Sequence, residues 1–157
     1  MSAHSLRPLL GAVIVTALAL VSGSPARADF PGAHPYYLDA IADLRVAKFI
    51  LSRPSGGSYA MAHEQAGIAE IDKALAEIKA AAVDDGKDLR AAPKGVDIPP
   101  DFSGRLHRTV EILHKVEKDV NREEDDPYVR GLRDRSLVHV RAALRETEAA
   151  IFDITHQ

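Results

Sequence analysis

The strongest constraint in this sequence is a spacing. Four stretches carry apolar residues at three- and four-residue steps, and none alternates apolar with polar residues over any length. Steps of three and four line up side chains on one face of an α-helix, whereas a half-buried strand needs period two. The chain is therefore expected to be all-α.

The first stretch, about 35–52, places Tyr37, Ile41, Leu44, Ala47 and Leu51 on one stripe, with Asp39, Asp43, Arg45 and Lys48 around the remainder. Pro35 suits the first turn, and Pro54 with Ser55-Gly56-Gly57-Ser58 ends the helix. The second, about 59–85, sets Met61, Ile68, Ile71, Leu75, Ile78 and Ala82 on a heptad-like seam, with Glu64 in the same register and Gly86 as the stop. Gly67 inside that helix costs up to ~1 kcal/mol against alanine, which points to a close helix contact. The third, about 103–124, has Leu106, Val110, Leu113, Val116 and Val120 on its stripe. The fourth, about 127–154, has Leu137, Val140, Leu144, Ile151 and Ile154, plus a weaker row of Leu132, Ser136 and Ala143. No internal repeat of fixed period is evident.

The connections decide how these helices pack. Asn121 to Arg135, NREEDDPYVRGLRDR, is a charged break with Asp126 as helix N-cap and Pro127 at the first helical position. Glu123, Glu124 and Asp125 add negative charge beside the positive end of the fourth helix. The run resembles an acidic ligand loop but lacks the glycine turn of a calcium site, so it reads as a hinge. Glu123, Glu124 and Asp134 are the expected partners of Arg130, Arg133, Arg135 and Arg141. The stretch 87–102, with Pro93, Gly95, Pro99 and Pro100, exceeds the usual helix–helix loop. It is expected to cross one end of the bundle as a strap, with Leu89, Val96 and Ile98 tucked in. Four amphipathic helices with mostly short loops predict an antiparallel up-down-up-down four-helix bundle.

Ahead of the helices the chain reads as an export signal. Arg7 precedes an apolar run from Leu9 to Val21, and Ala26-Arg27-Ala28 is an A-x-A cleavage site. The run is short of the ~20 residues that span a bilayer. Residues 1–28 are expected to be removed, leaving 29–157 as one helical domain with no membrane span, in the periplasm or secreted. Arg7 and Arg27 leave with the leader, so 18 Lys+Arg then face 23 Asp+Glu. An acidic chain of interspersed charges is not a nucleic-acid binder, which needs clustered positive charge. Cysteine is absent, which excludes disulfides, thiolate metal sites and cysteine catalysis.

Candidate chemistry is sparse. Glu111 and His114 match the Glu-x-x-His spacing of di-metal bundles, but the second copy such a site needs does not occur. His63-Glu64 begins a zinc-protease pattern in which Gly67 replaces the second histidine. In an up-down-up-down order, His34, Asp84, Asp85 and His107 gather at one end, where two imidazoles and carboxylates suit Zn²⁺, Cu²⁺ or Ni²⁺.

The blocks HPYYLDAIADLRVAKFIL, EIDKALAEIKAAAVDDGKD, GRLHRTVEILHKVEKDV and EEDDPYVRGLRDRSLVHV resemble a family of small exported bacterial helical-bundle proteins of uncharacterised function. The resemblance covers most of the chain after the leader and implies an envelope location and four helices. It implies no catalytic or ligand residues. The expected function is that of a non-enzymatic binding or interaction module for a protein or small-ligand partner, with metal binding at His34, His107, Asp84 and Asp85 as the alternative.

Overall fold

The computed structural model describes residues 36–53, 58–84, 98–122, 124 and 126–156. Within them lie four α-helices and no strand: α1 (Tyr36–Leu51), α2 (Ser58–Asp84), α3 (Phe102–Val120) and α4 (Pro127–Thr155). The leader, His34, Pro35, Asp85, Leu89 and Val96 lie outside the described residues.

Local chemistry sets the helix ends. Asp101 caps α3 by accepting the Gly104 amide, and Asp126 caps α4 by accepting those of Tyr128 and Val129, with Pro127 in the first turn. Helix α3 ends at Val120, short of the expected Glu124. Asn121 closes its last turn onto the Glu117 carbonyl, and Glu124 leaves the helical path to meet Tyr37 of α1.

The stripes turn inward. Tyr37, Ile41, Leu44, Ala47 and Leu51 are all buried on α1; α4 buries Leu137, Val140 and Leu144 with the weaker row Leu132, Ser136 and Ala143, while Ile151 and Ile154 are only partly buried. Each large aliphatic side chain so covered contributes about 1.5–3 kcal/mol relative to exposure. Met61 departs from the expected seam: it is 44 % exposed, because α2 starts well beyond the end of α1. An added Cβ at Gly67, nine residues into α2, would already meet Leu51, the last residue of α1.

The packing order differs from the expected one. Helix α1 packs on α2 and α3, and α4 packs on α2 and α3; the pairs α1/α4 and α2/α3 lie across the diagonals. Every packed pair is antiparallel. Between α1 and α3, Tyr37 meets Glu124 while Asp43 meets Lys115. Between α2 and α4, His63 meets Glu146, Glu70 meets His139 and Glu77 meets Arg135. Between α1 and α2, Lys48 meets Asp72, and between α3 and α4, Arg141 meets Glu117. Helices α2 and α3 therefore run in the same direction, and the chain order is up-down-down-up. Asp84 and Ile98 sit at opposite ends of the bundle; the proline-rich connection expected as a strap lies, up to residue 97, outside the described residues. Ile98, at its far end, does pack against the core as expected.

The two hairpins, α1–α2 and α3–α4, repeat one burial pattern. Tyr37, Ala40, Leu44, Ala47, Ile50 and Leu51 are buried on α1; the residues 69 positions later, Leu106, Thr109, Leu113, Val116, Asp119 and Val120, are buried on α3. The same offset carries Ala60, Ile71, Ala74, Leu75, Ile78 and Ala81 of α2 onto Val129, Val140, Ala143, Leu144, Thr147 and Ala150 of α4. Each hairpin has six residues between its helices, 52–57 and 121–126. The bundle is a pseudo-twofold pair of hairpins. Few of the paired positions are identical, which is why the sequence alone shows no repeat.

Candidate functional site

The topology separates Asp84 and His107, two of the four residues proposed for a metal site. Asp84 is exposed at the end of α2, on the side where α1 and α4 begin. His107 is exposed in the second turn of α3, at the other end, with Nδ1 2.9 Å from the Ser103 carbonyl. From His107 to Val120, where α3 ends, is already ~20 Å of helix. The structure does not bring Asp84 and His107 together; His34 and Asp85 lie outside the described residues. Glu111 is exposed and paired with Arg108, and His114 is 3.8 Å from Glu117. No group of three or more His, Asp or Glu able to hold a metal occurs among the described residues.

Two other histidines meet carboxylates across the α2–α4 seam. His63 Nδ1 lies 2.8 Å from Glu146 and its Nε2 3.6 Å from Asp153, while His139 Nδ1 lies 2.7 Å from Glu70. The arrangement is reciprocal, because α2 carries His63 and Glu70 seven residues apart and α4 carries His139 and Glu146 at the same spacing. Hydrogen bonds from Lys73, then His139, hold the Glu70 carboxyl below the usual carboxylate range. Farther along, Arg135 forks onto both oxygens of Glu77. These pairs fix the register of two antiparallel helices.

The acidic hinge is also structural. Glu124 is 2 % exposed; its side chain accepts from Tyr37 Oη and the Asp126 amide, and its carbonyl takes Nε and Nη2 of Arg130. Arg133 pairs with Asp134 as expected, whereas Arg135 reaches Glu77 of α2 and Arg141 reaches Glu117 of α3.

What remains is a cleft of about 400 Å³ lined by Leu51, Ser52, Arg53, Met61, Glu64, Gln65 and Ile68. Its cause is the overhang of α2 past the end of α1. Met61, Glu64, Gln65 and Ile68 stand at i, i+3, i+4 and i+7, one face of α2, alongside the last residues of α1. Leu51, Met61 and Ile68 make an apolar wall. Glu64 is only 4 % exposed, and Arg53 is an exposed residue whose guanidinium lies 4.9 Å from the centre of the Phe49 ring. Arg53 meets no carboxylate among the described residues. Ser52 Oγ donates to the Phe49 carbonyl. The lining offers one acid, one guanidinium and one amide on an apolar surface, which is orienting and binding chemistry.

The second hairpin shows how the same place is filled when polar side chains bridge it. The residues 69 positions after Arg53, Met61, Glu64 and Ile68 are Arg122, Arg130, Arg133 and Leu137. Arg133, with a 16 % exposed side chain, donates to the Arg122 carbonyl and forks onto Asp134, while Arg130 closes on Glu124 and Arg122 lies over Tyr36. In the first hairpin an acid replaces the bridging arginine. The sequence carried one signal of this, Glu64 in the register of an apolar seam; nothing in it marked Arg53. Comparisons with protein-family models, with curated proteins and with solved structures find no match.

Proposed function

We propose that this chain is an exported, non-enzymatic binding module whose ligand seat is the cleft between the end of α1 and the first turns of α2. The observation that carries the reading is the contrast between the hairpins. At the pseudo-equivalent position Arg133 bridges to the Arg122 carbonyl, whereas the first hairpin has a cleft with a buried carboxylate at Glu64. A volume of about 400 Å³ falls within the ~300–1,000 Å³ of small-molecule sites. The leader layout through Ala28 and the resemblance to exported bundle proteins support a periplasmic or secreted location. No described helix is long and apolar enough to cross a membrane.

The test is amide chemical-shift mapping of the full chain, expressed with its own leader, against a mixture of small apolar and amphiphilic compounds. Shifts are expected at Leu51, Arg53, Gln65 and Ile68. Shifts gathered elsewhere, or unchanged when Ile68→Trp fills the cleft, would dispose of this seat. Export is checked by N-terminal sequencing, which should begin at Asp29.

A further inference from the structure

The charges of the cleft specify more than a seat. Resting on the reading above, we propose that the ligand is a small zwitterion with an apolar body, the chemistry of a free apolar amino acid. Its ammonium faces Glu64, its carboxylate faces Arg53, and its side chain lies on Leu51, Met61 and Ile68.

Each charge is defined by what surrounds it. Glu64 is nine-tenths buried yet lines the cleft. A carboxylate has about four acceptor positions, so a partner within the fold leaves capacity for an incoming N–H. The carbonyl end of α1, at Leu51, lines the same cleft and adds partial negative charge, which favours a cation there. Arg53 stands at the lip with its guanidinium over Phe49 and no carboxylate partner among the described residues. Its planar fork suits a carboxylate bound by two parallel N–H bonds.

Ligands with one charge fit less well. A fatty acid satisfies Arg53 but brings the Glu64 carboxylate no donor for its remaining acceptor positions. A simple ammonium satisfies Glu64 but brings a second cation beside Arg53. A fully apolar ligand serves neither charge. The opposite charges on one apolar wall match a molecule that carries both charges near one end.

The experiment compares L-leucine with N-acetyl-leucine, leucinamide and hexanoate by amide chemical-shift titration of the full chain. Leucine should shift Leu51, Gln65 and Ile68 in a saturable way. Removing either ligand charge should weaken binding at least ten-fold, as expected for the loss of a charge-assisted hydrogen bond. Glu64→Gln should remove the preference for leucine over N-acetyl-leucine, and the exposed Arg53→Gln the preference over leucinamide. The Arg53 variant reports even if the Glu64 variant folds poorly. Equal binding of hexanoate or N-acetyl-leucine in the cleft overturns the zwitterion and leaves the seat intact. No cleft shifts with any of the four compounds overturns the zwitterion, and the seat itself falls only if the wider compound mixture also leaves the cleft unperturbed.

Discussion

Tyr37, in the first turn of α1, donates its hydroxyl to the Glu124 carboxylate at 2.6 Å, a bond across 87 residues of chain. It ties the α3–α4 hinge to α1 and places the start of α1 beside the end of α3. From that single relation the antiparallel sense of α1 and α3 follows, and with it the position of every other helix end.

Removing that hydroxyl is expected to destabilise the fold. Tyr37→Phe keeps the ring in the core and deprives a buried carboxylate of a donor, a change of about 1–3 kcal/mol. Urea unfolding should show a lower midpoint with an unchanged slope. A midpoint equal to that of the parent protein would mean that the bond is not formed in solution.

The fold class was legible in the sequence because a period of three and four has one physical meaning. Tyr37, Leu44 and Leu51 had only to face inward, and they do. Helix order was not legible, because an amphipathic stripe says which side is buried and not which neighbour covers it. The hint lay in 87–102, too long for a hairpin loop and long enough for a crossover. The up-down-up-down order placed His107 beside Asp84, and the antiparallel pairing of α1 with α3 separates them. The cleft was half legible. Glu64 in an apolar register announced a buried acid, but the overhang that opens a space beside it depends on where α1 stops against α2.

Gly67→Ala should stabilise the protein. An added Cβ meets Leu51 Cδ1 at 3.4 Å and Thr147 Oγ1 at 3.7 Å, ordinary contact distances that need almost no adjustment. Alanine in a helix interior gains up to ~1 kcal/mol over glycine, so thermal unfolding should move upward by several degrees. Gly67→Leu, which forces further atoms between α1, α2 and α4, should lower stability by about 1–3 kcal/mol. If alanine also destabilises, the three helices approach more closely than these distances.

Acid should weaken the α2–α4 seam through Glu70. Its folded pKa lies below the ordinary 4.5, chiefly because Lys73 and then His139 donate to it. The unfolded chain therefore takes up the proton first as pH falls. The contribution is full above about pH 4.5 and is lost as pH drops through the folded value. Urea midpoints measured from pH 7 down to pH 3 should fall less steeply in Glu70→Gln than in the parent. Parallel curves would show that Glu70 is not held by these partners.

The order of the helices can be read from two distances. The chain has no cysteine, so spin labels attach only where cysteines are introduced. Asp84, His107 and Lys118 are all exposed and lie within helices. In the up-down-down-up order Asp84 shares an end with the close of α3, so Asp84→Cys with Lys118→Cys should give the shorter separation. Asp84→Cys with His107→Cys should give the longer, since eleven helical residues add ~16 Å along the bundle axis. An up-down-up-down order places the start of α3 beside the end of α2 and reverses the two. Electron–electron double resonance on the doubly labelled proteins decides between the orders from the sign of the difference alone, whatever the label linkers add to each distance.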